Sequence, residues 1–144
     1  TGYNRPIMDV VTRLASAAGY TPDNLVCAGD LAAGRPTPLM MYRCFADLGV
    51  WPPHTVVKVD DTGVGLAEGR NAGCWTVGVA VSGNAVGLSR PEWEALPASA
   101  QQVLREKATA QLTAEGAHFV VDSVADLLPV LDDIQARLAR GERP

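Results

Sequence analysis

Short apolar runs alternate with helix-like patterns along almost the whole chain. The strand-like runs are residues 25–27, 56–59, 75–81 and 118–121. Helical spacing of apolar residues fills the segments between and after them, at about residues 6–18, 39–48, 64–72 and 123–138. This order of elements predicts an α/β fold, in which a parallel sheet carries helices on both faces. In such sheets, ligands bind at the carboxyl ends of the strands.

Glycines and a capping pattern mark the ends of the predicted helices. Gly49 and Gly73 stand where the second and third helices should stop. Ser123 and Asp126 form a capping-box pattern that opens the last helix. The segment 89–112 indicates one or two further helices with polar faces, which we expect to pack as an insertion on the side of the domain.

Composition and charge limit the class of protein. The 144 residues suit a single domain, and 47% apolar with 19% charged residues is typical of a globular chain. The net charge of −4 disfavours nucleic-acid binding, and no apolar run is long enough to span a membrane. Three cysteines without a Cys-x-x-Cys pair indicate free thiols in a reducing compartment. We therefore expect a cytoplasmic protein without nucleic-acid or membrane partners.

Two adjacent carboxylates, Asp60 and Asp61, directly follow the strand pattern of residues 56–59. Such a pair is costly to bury unless a cation or hydrogen-bond donors compensate the charge. Mg²⁺ prefers hard oxygen ligands and takes one or two carboxylates beside a phosphate group. Gly63 and Gly65 allow a tight turn and leave room for a phosphate at the start of the next helix. The alternative is a carboxylate pair that only caps this helix.

An arginine, Arg35, stands at the mouth of the second predicted helix, in the sequence Gly-Arg-Pro-Thr-Pro. Its planar guanidinium offers a fixed fork of donors and a permanent charge, which match phosphate or phosphonate oxygens. Considered alone, a surface arginine in a proline-rich loop is the simpler interpretation.

The run from Asp60 to Trp75 resembles the acidic loop of phosphotransferases in the haloacid dehalogenase (HAD) superfamily. Its form, Asp-Asp-Thr-x-x-Gly-x-x-Glu-Gly-x-Asn-Ala-Gly-x-Trp, is similar to that of phosphonoacetaldehyde hydrolases, as is Gly-Arg-Pro around Arg35. The opening Thr-Gly-Tyr-x-Arg also resembles this family, and the resemblance covers nearly the whole chain. It implies a Rossmann-like HAD core. Some family members carry an aspartate at the position of Gly65, so the metal shell of this chain would differ from theirs.

The resemblance implies a role for each matching residue. Asp61 would be a Mg²⁺ ligand, with Asp60 as a second ligand or as a partner of the first. Arg35 would bind the substrate and offset charge during catalysis. Thr1 and Gly2 match a strand end at which a hydroxyl group and the next backbone N–H hold the phosphoryl oxygens.

The activity implied by the resemblance is hydrolysis of the carbon–phosphorus bond of phosphonoacetaldehyde to acetaldehyde and phosphate. In the family, a cap-domain lysine forms a Schiff base with the aldehyde, and an aspartate on the first core strand attacks phosphorus. Mg²⁺ and the basic residue offset the charge. The implied partner is a small phosphonate substrate, and the complete enzyme is expected to form a homodimer through the cap.

The nucleophile and the cap lysine both precede the position of Thr1 in the family. Lys58 lies inside a strand pattern and Lys107 lies in the segment 89–112, so neither is expected to replace the cap lysine. We therefore interpret residues 1–144 as the C-terminal portion of a HAD core domain from a larger enzyme, incomplete because the first core strand and the cap are absent. A parallel sheet without its central strand would expose apolar surface and unpaired backbone groups, which supports this interpretation. This portion alone is expected to be inactive, because it lacks the nucleophile and the cap lysine.

Two other functions remain open at this point. A HAD phosphatase acting on a small phosphate ester would share the aspartate loop, but would normally carry lysine in place of Arg35. A non-catalytic HAD-like module would keep the fold and lose the chemistry.

Overall fold

Three parallel strands form the sheet in the computed structural model, which describes all 144 residues. They are β1 (Val57–Asp60), β2 (Trp75–Val79) and β3 (Phe119–Val121), in the spatial order β1-β2-β3. Val57 lies opposite Trp75, and Val77 lies opposite Phe119. The predicted α/β fold with a parallel sheet is confirmed.

Six α-helices accompany the sheet. They are α1 (Arg5–Ala17), α2 (Leu39–Leu48), α3 (Gly63–Ala72), α4 (Arg90–Glu94), α5 (Ala98–Ala114) and α6 (Leu127–Ala139). Short 3-10 turns at Pro53–Thr55 and Val124–Asp126 precede β1 and α6. None of the helices is both long enough and apolar enough to cross a membrane.

The helix ends follow local chemistry that was visible in the sequence. Gly49 and Gly73 end α2 and α3 in the left-handed conformation, with φ of 65° and 82°. Glycine has no Cβ, so this conformation costs it little. Ser123 and Asp126 form the predicted capping box, which opens the 3-10 turn that leads into α6. These three predictions are confirmed.

Helices cover both faces of the sheet. On one face, Leu66 of α3 packs with Ala80, and with Ala108 and Leu112 of α5. On the other face, Ile134 of α6 packs against β2 and β3. The segment 89–112 was predicted as a lateral insertion, and for α5 this is wrong. Ala108 and Leu112 are 1% and 0% exposed because α5 is the helix that closes one face of the sheet.

The predicted strand at residues 25–27 does not form. Its backbone bonds do not form a strand pair: the Thr1 nitrogen donates to the Val26 carbonyl over 2.8 Å, and the Asp30 nitrogen donates to the Cys27 carbonyl over 3.1 Å in a local turn. The adjacent Ala28 nitrogen donates to the Tyr3 carbonyl over 3.0 Å. A strand needs a continuous ladder with a neighbour, and none of the three strands provides one.

The ends of the second and third strands also differ from the prediction. β2 ends at Val79, two residues before the predicted end, since Val81 and Ser82 already turn to bond the Asp122 carbonyl. β3 begins one residue later than predicted, at Phe119. All three cysteines are free thiols, as predicted.

Candidate functional site

The site lies at the carboxyl end of β1, where the chain turns into α3. Thr62 caps the helix by accepting a hydrogen bond from the Gly65 nitrogen over 3.2 Å. The same residue donates twice to Asp60 Oδ1, from its backbone nitrogen at 3.0 Å and from its hydroxyl at 2.7 Å. The turn therefore fixes the carboxylate of Asp60 through its own backbone and cap.

Asp60 is also paired with two cations. Its Oδ2 lies 3.3 Å from Arg35 Nη2 and 3.3 Å from Lys58 Nζ. Burial opposes ionisation of Asp60, but the Thr62 hydroxyl bond and the charges of Lys58 and Arg35 outweigh it, so its pKa lies below the usual value. Asp60 is thus an ionised carboxylate whose two oxygens are both engaged by protein groups.

Asp61 points to a different part of the site. Its Oδ2 accepts a hydrogen bond from the backbone nitrogen of Asn84 over 2.9 Å, in the loop that follows β2. No lysine or arginine forms an ion pair with it. Asp61 lines a cavity of about 260 Å³ together with Asp60, Ser82 and Gly83. Of the two adjacent carboxylates, Asp61 is therefore the one without a compensating cation.

Arg35 reaches this region from the loop before α2. Its side chain is 18% exposed and pairs with both Asp60 and Glu68. A Cβ added to Gly2 would lie 3.8 Å from Arg35 Nη1, so the guanidinium approaches the start of the chain closely. The structure thus brings together Arg35, Gly2 and Asp60, three of the predicted site residues.

Thr1 lies next to the same charged group. Its hydroxyl accepts a hydrogen bond from the Tyr3 nitrogen over 3.2 Å. Thr1 lines a cavity of about 170 Å³ together with Lys58 and Glu68. Of the predicted site residues, Arg35 and Asp60 therefore belong to one charged cluster and Thr1 and Gly2 adjoin it, whereas Asp61 faces the neighbouring cavity.

Two residues of this cluster, Lys58 and Glu68, were not predicted as site residues. Glu68 Oε2 lies 2.9 Å from Lys58 Nζ and 3.2 Å from Arg35 Nε. A signal was present in the sequence: Lys58 interrupts an otherwise apolar strand, and Glu68 lies on the same stripe of α3 as the buried Gly65 and Ala72. Lysine and glutamate are rarely buried unless they are paired. Opposite charges on an apolar strand and on the buried face of the next helix therefore indicate a buried ion pair.

Gly65 leaves the space that Asp60 occupies. A Cβ built at Gly65 would lie 2.0 Å from Asp60 Cγ. Asp60 could not keep this position beneath α3 beside any residue larger than glycine. In this chain, the carboxylate at the start of α3 therefore comes from Asp60, and position 65 has no side chain to contribute.

The carboxylates of this site fit a divalent metal that needs few protein ligands. No group of three or more histidine, cysteine, aspartate or glutamate side chains is arranged to hold a metal ion. Mg²⁺ does not require one, since it keeps several waters and usually takes one or two carboxylates plus substrate oxygens. Asp61, uncompensated and facing a cavity, fits such a site. Asp60 fits a direct metal ligand less well, because both of its oxygens already contact protein groups. It fits better as a neighbour of the metal site that orients Arg35 and Lys58.

The fold is that of the haloacid-dehalogenase-like α/β proteins: a HAD-like protein from Agrobacterium tumefaciens aligns over 93% of this chain and 52% of its own, with a TM-score of 0.68 at 22% identity. No family model matches the chain.

The particular relatives are more specific. Over its full length the chain is similar to proteins named phosphonoacetaldehyde hydrolase. It is 54% identical to the enzyme of that name from Paraburkholderia xenovorans, covering 100% of this chain and 54% of the relative. It is 47% identical to the enzyme of that name from Hahella chejuensis, covering 100% of this chain and 49% of the relative. A phosphonoacetaldehyde hydrolase-like protein from Oleispira antarctica superposes with a TM-score of 0.98 at 47% identity, over 100% of this chain and 52% of its own. The chain thus spans about half the length of the curated relatives it matches.

Proposed function

We propose that the complete protein containing this chain hydrolyses the carbon–phosphorus bond of phosphonoacetaldehyde, giving acetaldehyde and phosphate. Residues 1–144 would be the C-terminal portion of its core domain and would supply the groups that bind the phosphonate and the metal. The observation that carries the proposal is the approach of Arg35 to Gly2 and Asp60 at one end of the sheet. The similarity of the whole chain to about half of each phosphonoacetaldehyde hydrolase supports the same substrate.

In this proposal, Arg35 is the main anion-binding group. Its Nε and Nη2 contact carboxylates, and its Nη1 lies toward Gly2. The guanidinium can therefore bind a phosphonate oxygen while its other nitrogens stay fixed. The Gly2 backbone N–H and the Thr1 hydroxyl are neutral donors that stabilise the remaining phosphonate oxygens without competing as nucleophiles.

Asp61 is proposed to hold Mg²⁺. When bound, the ion would neutralise charge that develops on the phosphonate oxygens. Asp60 would act on Arg35 and Lys58 instead, because both of its oxygens already accept contacts from protein groups. This assignment separates the roles of two adjacent carboxylates by the direction in which each side chain points.

The remaining groups of the reaction must come from elsewhere in the complete protein. An imine-forming lysine has to reach the aldehyde with a free amine. Lys58 is occupied by ion pairs with Asp60 and Glu68, and Lys107 lies exposed on α5. The attacking carboxylate must likewise be a group other than Asp60 and Asp61. The 144-residue chain alone is therefore proposed to be inactive.

Partners and location follow the same proposal. We expect the complete protein to be a cytoplasmic homodimer that acts on a small phosphonate. Light scattering on the complete protein would test the dimer, since a monomeric mass over the working concentration range would contradict it.

The test of the activity is an assay of the complete gene product with phosphonoacetaldehyde and Mg²⁺. We expect acetaldehyde and phosphate in equal amounts, with little turnover after a chelator removes the metal. Replacement of Arg35 or Asp61 by alanine should abolish most of the turnover. Asp133→Asn, which removes a carboxylate paired with Arg137 on α6, is a matched control and should leave turnover unchanged.

Three outcomes would contradict the proposal. Phosphate release from small phosphate esters but not from phosphonoacetaldehyde would favour a HAD phosphatase. No turnover of either substrate, together with no Mg²⁺ binding, would favour a non-catalytic module. Near-normal activity of the Arg35 or Asp61 variant would contradict the assignment of the site.

A further inference from the structure

Four charged side chains form one compact cluster beneath the proposed phosphonate site. They are Arg35, Lys58, Asp60 and Glu68, whose side chains are 18%, 13%, 7% and 2% exposed. Two cations and two anions make the cluster neutral. Since all four are largely removed from water, each charge depends on the others for compensation.

Glu68 is the most deeply buried member of the cluster. It lies on the side of α3 that faces the sheet, next to Gly69, where an added Cβ would lie 2.7 Å from the Lys58 side chain. The close approach of α3 to β1 at Gly69 brings the Glu68 carboxylate level with Lys58 Nζ, at 2.9 Å. The position of Glu68 is therefore fixed by the packing of a helix on a strand and not by a flexible loop.

The contact between Glu68 and Arg35 is what links the packed core to the site. Glu68 Oε2 lies 3.2 Å from Arg35 Nε, on the edge of the guanidinium opposite Nη1. The N–H direction is not aligned for a hydrogen bond, so the contact is an ion pair. Arg35 itself lies in a turn whose backbone is held by the Thr37 nitrogen, which donates to the Gly34 carbonyl over 3.0 Å, and by Asn71 Nδ2, which donates to the Pro36 carbonyl over 2.8 Å. These bonds fix the backbone of the turn, whereas the guanidinium at the end of the long side chain forms ion pairs only with Asp60 and Glu68. Its direction therefore depends on the carboxylates that hold its inner edge.

We propose that Glu68 is a positioning residue for Arg35: it holds the inner edge of the guanidinium against α3 so that Nη1 faces the anion site beside Gly2. Lys58 fixes Glu68 in turn, through its contact at 2.9 Å. Glu68 does not touch the substrate. The inference rests on the proposed function only in taking Arg35 as an anion-binding residue, and it does not depend on the fate of the carbon–phosphorus bond.

The test measures the affinity of the complete gene product for inorganic phosphate by titration calorimetry, in a cycle of Glu68→Gln and Arg35→Lys. Glutamine keeps the shape of Glu68 and removes its charge. Lysine keeps the charge of Arg35 and has no Nε for Glu68 to hold. We expect Glu68→Gln to weaken phosphate binding about tenfold in the wild-type background, because misplacement of a binding group by about 1 Å can cost up to about 100-fold. In the Arg35→Lys background the loss should be less than about threefold.

Three results would overturn the proposal. Equal losses in both backgrounds would mean that Glu68 acts on the fold and not through Arg35. Unchanged affinity would mean that Arg35 holds its direction without Glu68. Tighter phosphate binding by Glu68→Gln would mean that Glu68 acts only as an opposing charge. Asp133→Asn serves as the matched control and should leave phosphate affinity unchanged.

A second variant separates positioning from folding, since loss of one buried charge can also destabilise the protein. Lys58→Met combined with Glu68→Gln removes one cation and one anion together and keeps the cluster neutral. We expect this pair to recover the melting temperature but to keep the weakened phosphate binding. Recovery of wild-type affinity along with stability would show that Glu68 is structural.

The outcomes distinguish this inference from the proposed function. Phosphate binding with the expected cycle, but no hydrolysis of phosphonoacetaldehyde, would retain the role of Glu68 and reject the substrate. Hydrolysis of phosphonoacetaldehyde, with equal losses of phosphate affinity from Glu68→Gln in both backgrounds, would retain the substrate and reject the role of Glu68. Absence of phosphate binding by the wild-type protein would reject Arg35 as an anion-binding residue, and the inference with it.

Discussion

Residues 56–139 and residues 1–38 differ in how completely their apolar side chains are buried. Every residue of β2 is buried between helices on both faces. In the first 38 residues only Val26 and Cys27 are buried, and α1 has no buried residue. Yet α1 carries an apolar stripe, in which Ile7 and Leu14 are 45% and 68% exposed. Local pattern and caps are sufficient to define a helix, whereas burial requires a partner surface that faces it.

The largest expected difference between the two regions is in a pair of leucines. Leu112 on α5 is 0% exposed, and Leu14 on α1 is 68% exposed. Leu112→Ala should lower the free energy of unfolding by about 2–5 kcal/mol, because it removes contacts and leaves a cavity. Leu14→Ala should change it by no more than about 0.5 kcal/mol. Urea unfolding of both variants tests the comparison, which fails if the two losses are similar.

A pair of glycines gives the next largest difference. Gly65→Ala places a Cβ 2.0 Å from Asp60 Cγ, and the carboxylate must leave its contacts. We expect a loss of about 1–3 kcal/mol in unfolding free energy. Gly34→Ala, in the exposed loop before Arg35, meets nothing within 4 Å and should be nearly neutral. A neutral Gly65→Ala would show that Asp60 is not held where the structure places it.

Two helix caps differ less between the regions. Asn4 caps α1 by accepting from the Ile7 nitrogen, and Thr62 caps α3 by accepting from the Gly65 nitrogen, each over 3.2 Å. Replacement by alanine should cost about 0.5–1 kcal/mol at Asn4 and about 1–2 kcal/mol at Thr62. The loss at Thr62 is larger because its hydroxyl also donates to Asp60. Thermal unfolding measures both, and Thr62→Ser should recover most of the loss.

The smallest expected effect is a pH dependence confined to the packed region. His118 Nδ1 accepts a hydrogen bond from the Thr76 nitrogen over 3.0 Å, which requires an unprotonated Nδ1. Burial, with the nearby charge of Arg70, lowers the pKa of His118 from its usual 6.5. Below pH 6.5 the unfolded chain therefore binds a proton more readily than the folded chain. The stability that His118 contributes is present above this pH and is lost as the pH falls through the folded pKa.

A variant with no titrating group at this position tests the pH dependence. The unfolding free energy of the wild type should decrease relative to that of His118→Asn as the pH is lowered from about 8 to about 5. Parallel curves for the two proteins would contradict the assignment of the neutral form to the folded state. The same experiment on the Asn4→Ala variant should show the wild-type dependence, since α1 does not contact His118.

Much of the site was accessible from the sequence because its residues mark the ends of elements. Asp60 and Asp61 are visible as charges after an apolar strand, and Arg35 as a charge at the start of a helix. Lys58 and Glu68 were missed because each belongs to the interior pattern of its element. Their pairing depends on the distance between β1 and α3 and not on the order of residues within either.

The order of the amino acids was enough to predict the alternation of strands and helices, the stops at Gly49 and Gly73, and the capping box at Ser123. Each of these depends on residues a few positions apart, whose dihedral preferences and hydrogen bonds act locally. Three features became visible only in the folded chain: residues 25–27 form no strand, α5 covers one face of the sheet, and two adjacent aspartates contact different partners. Strand pairing, burial and ion pairing are contacts between distant segments, so they are set by which surfaces the fold brings together.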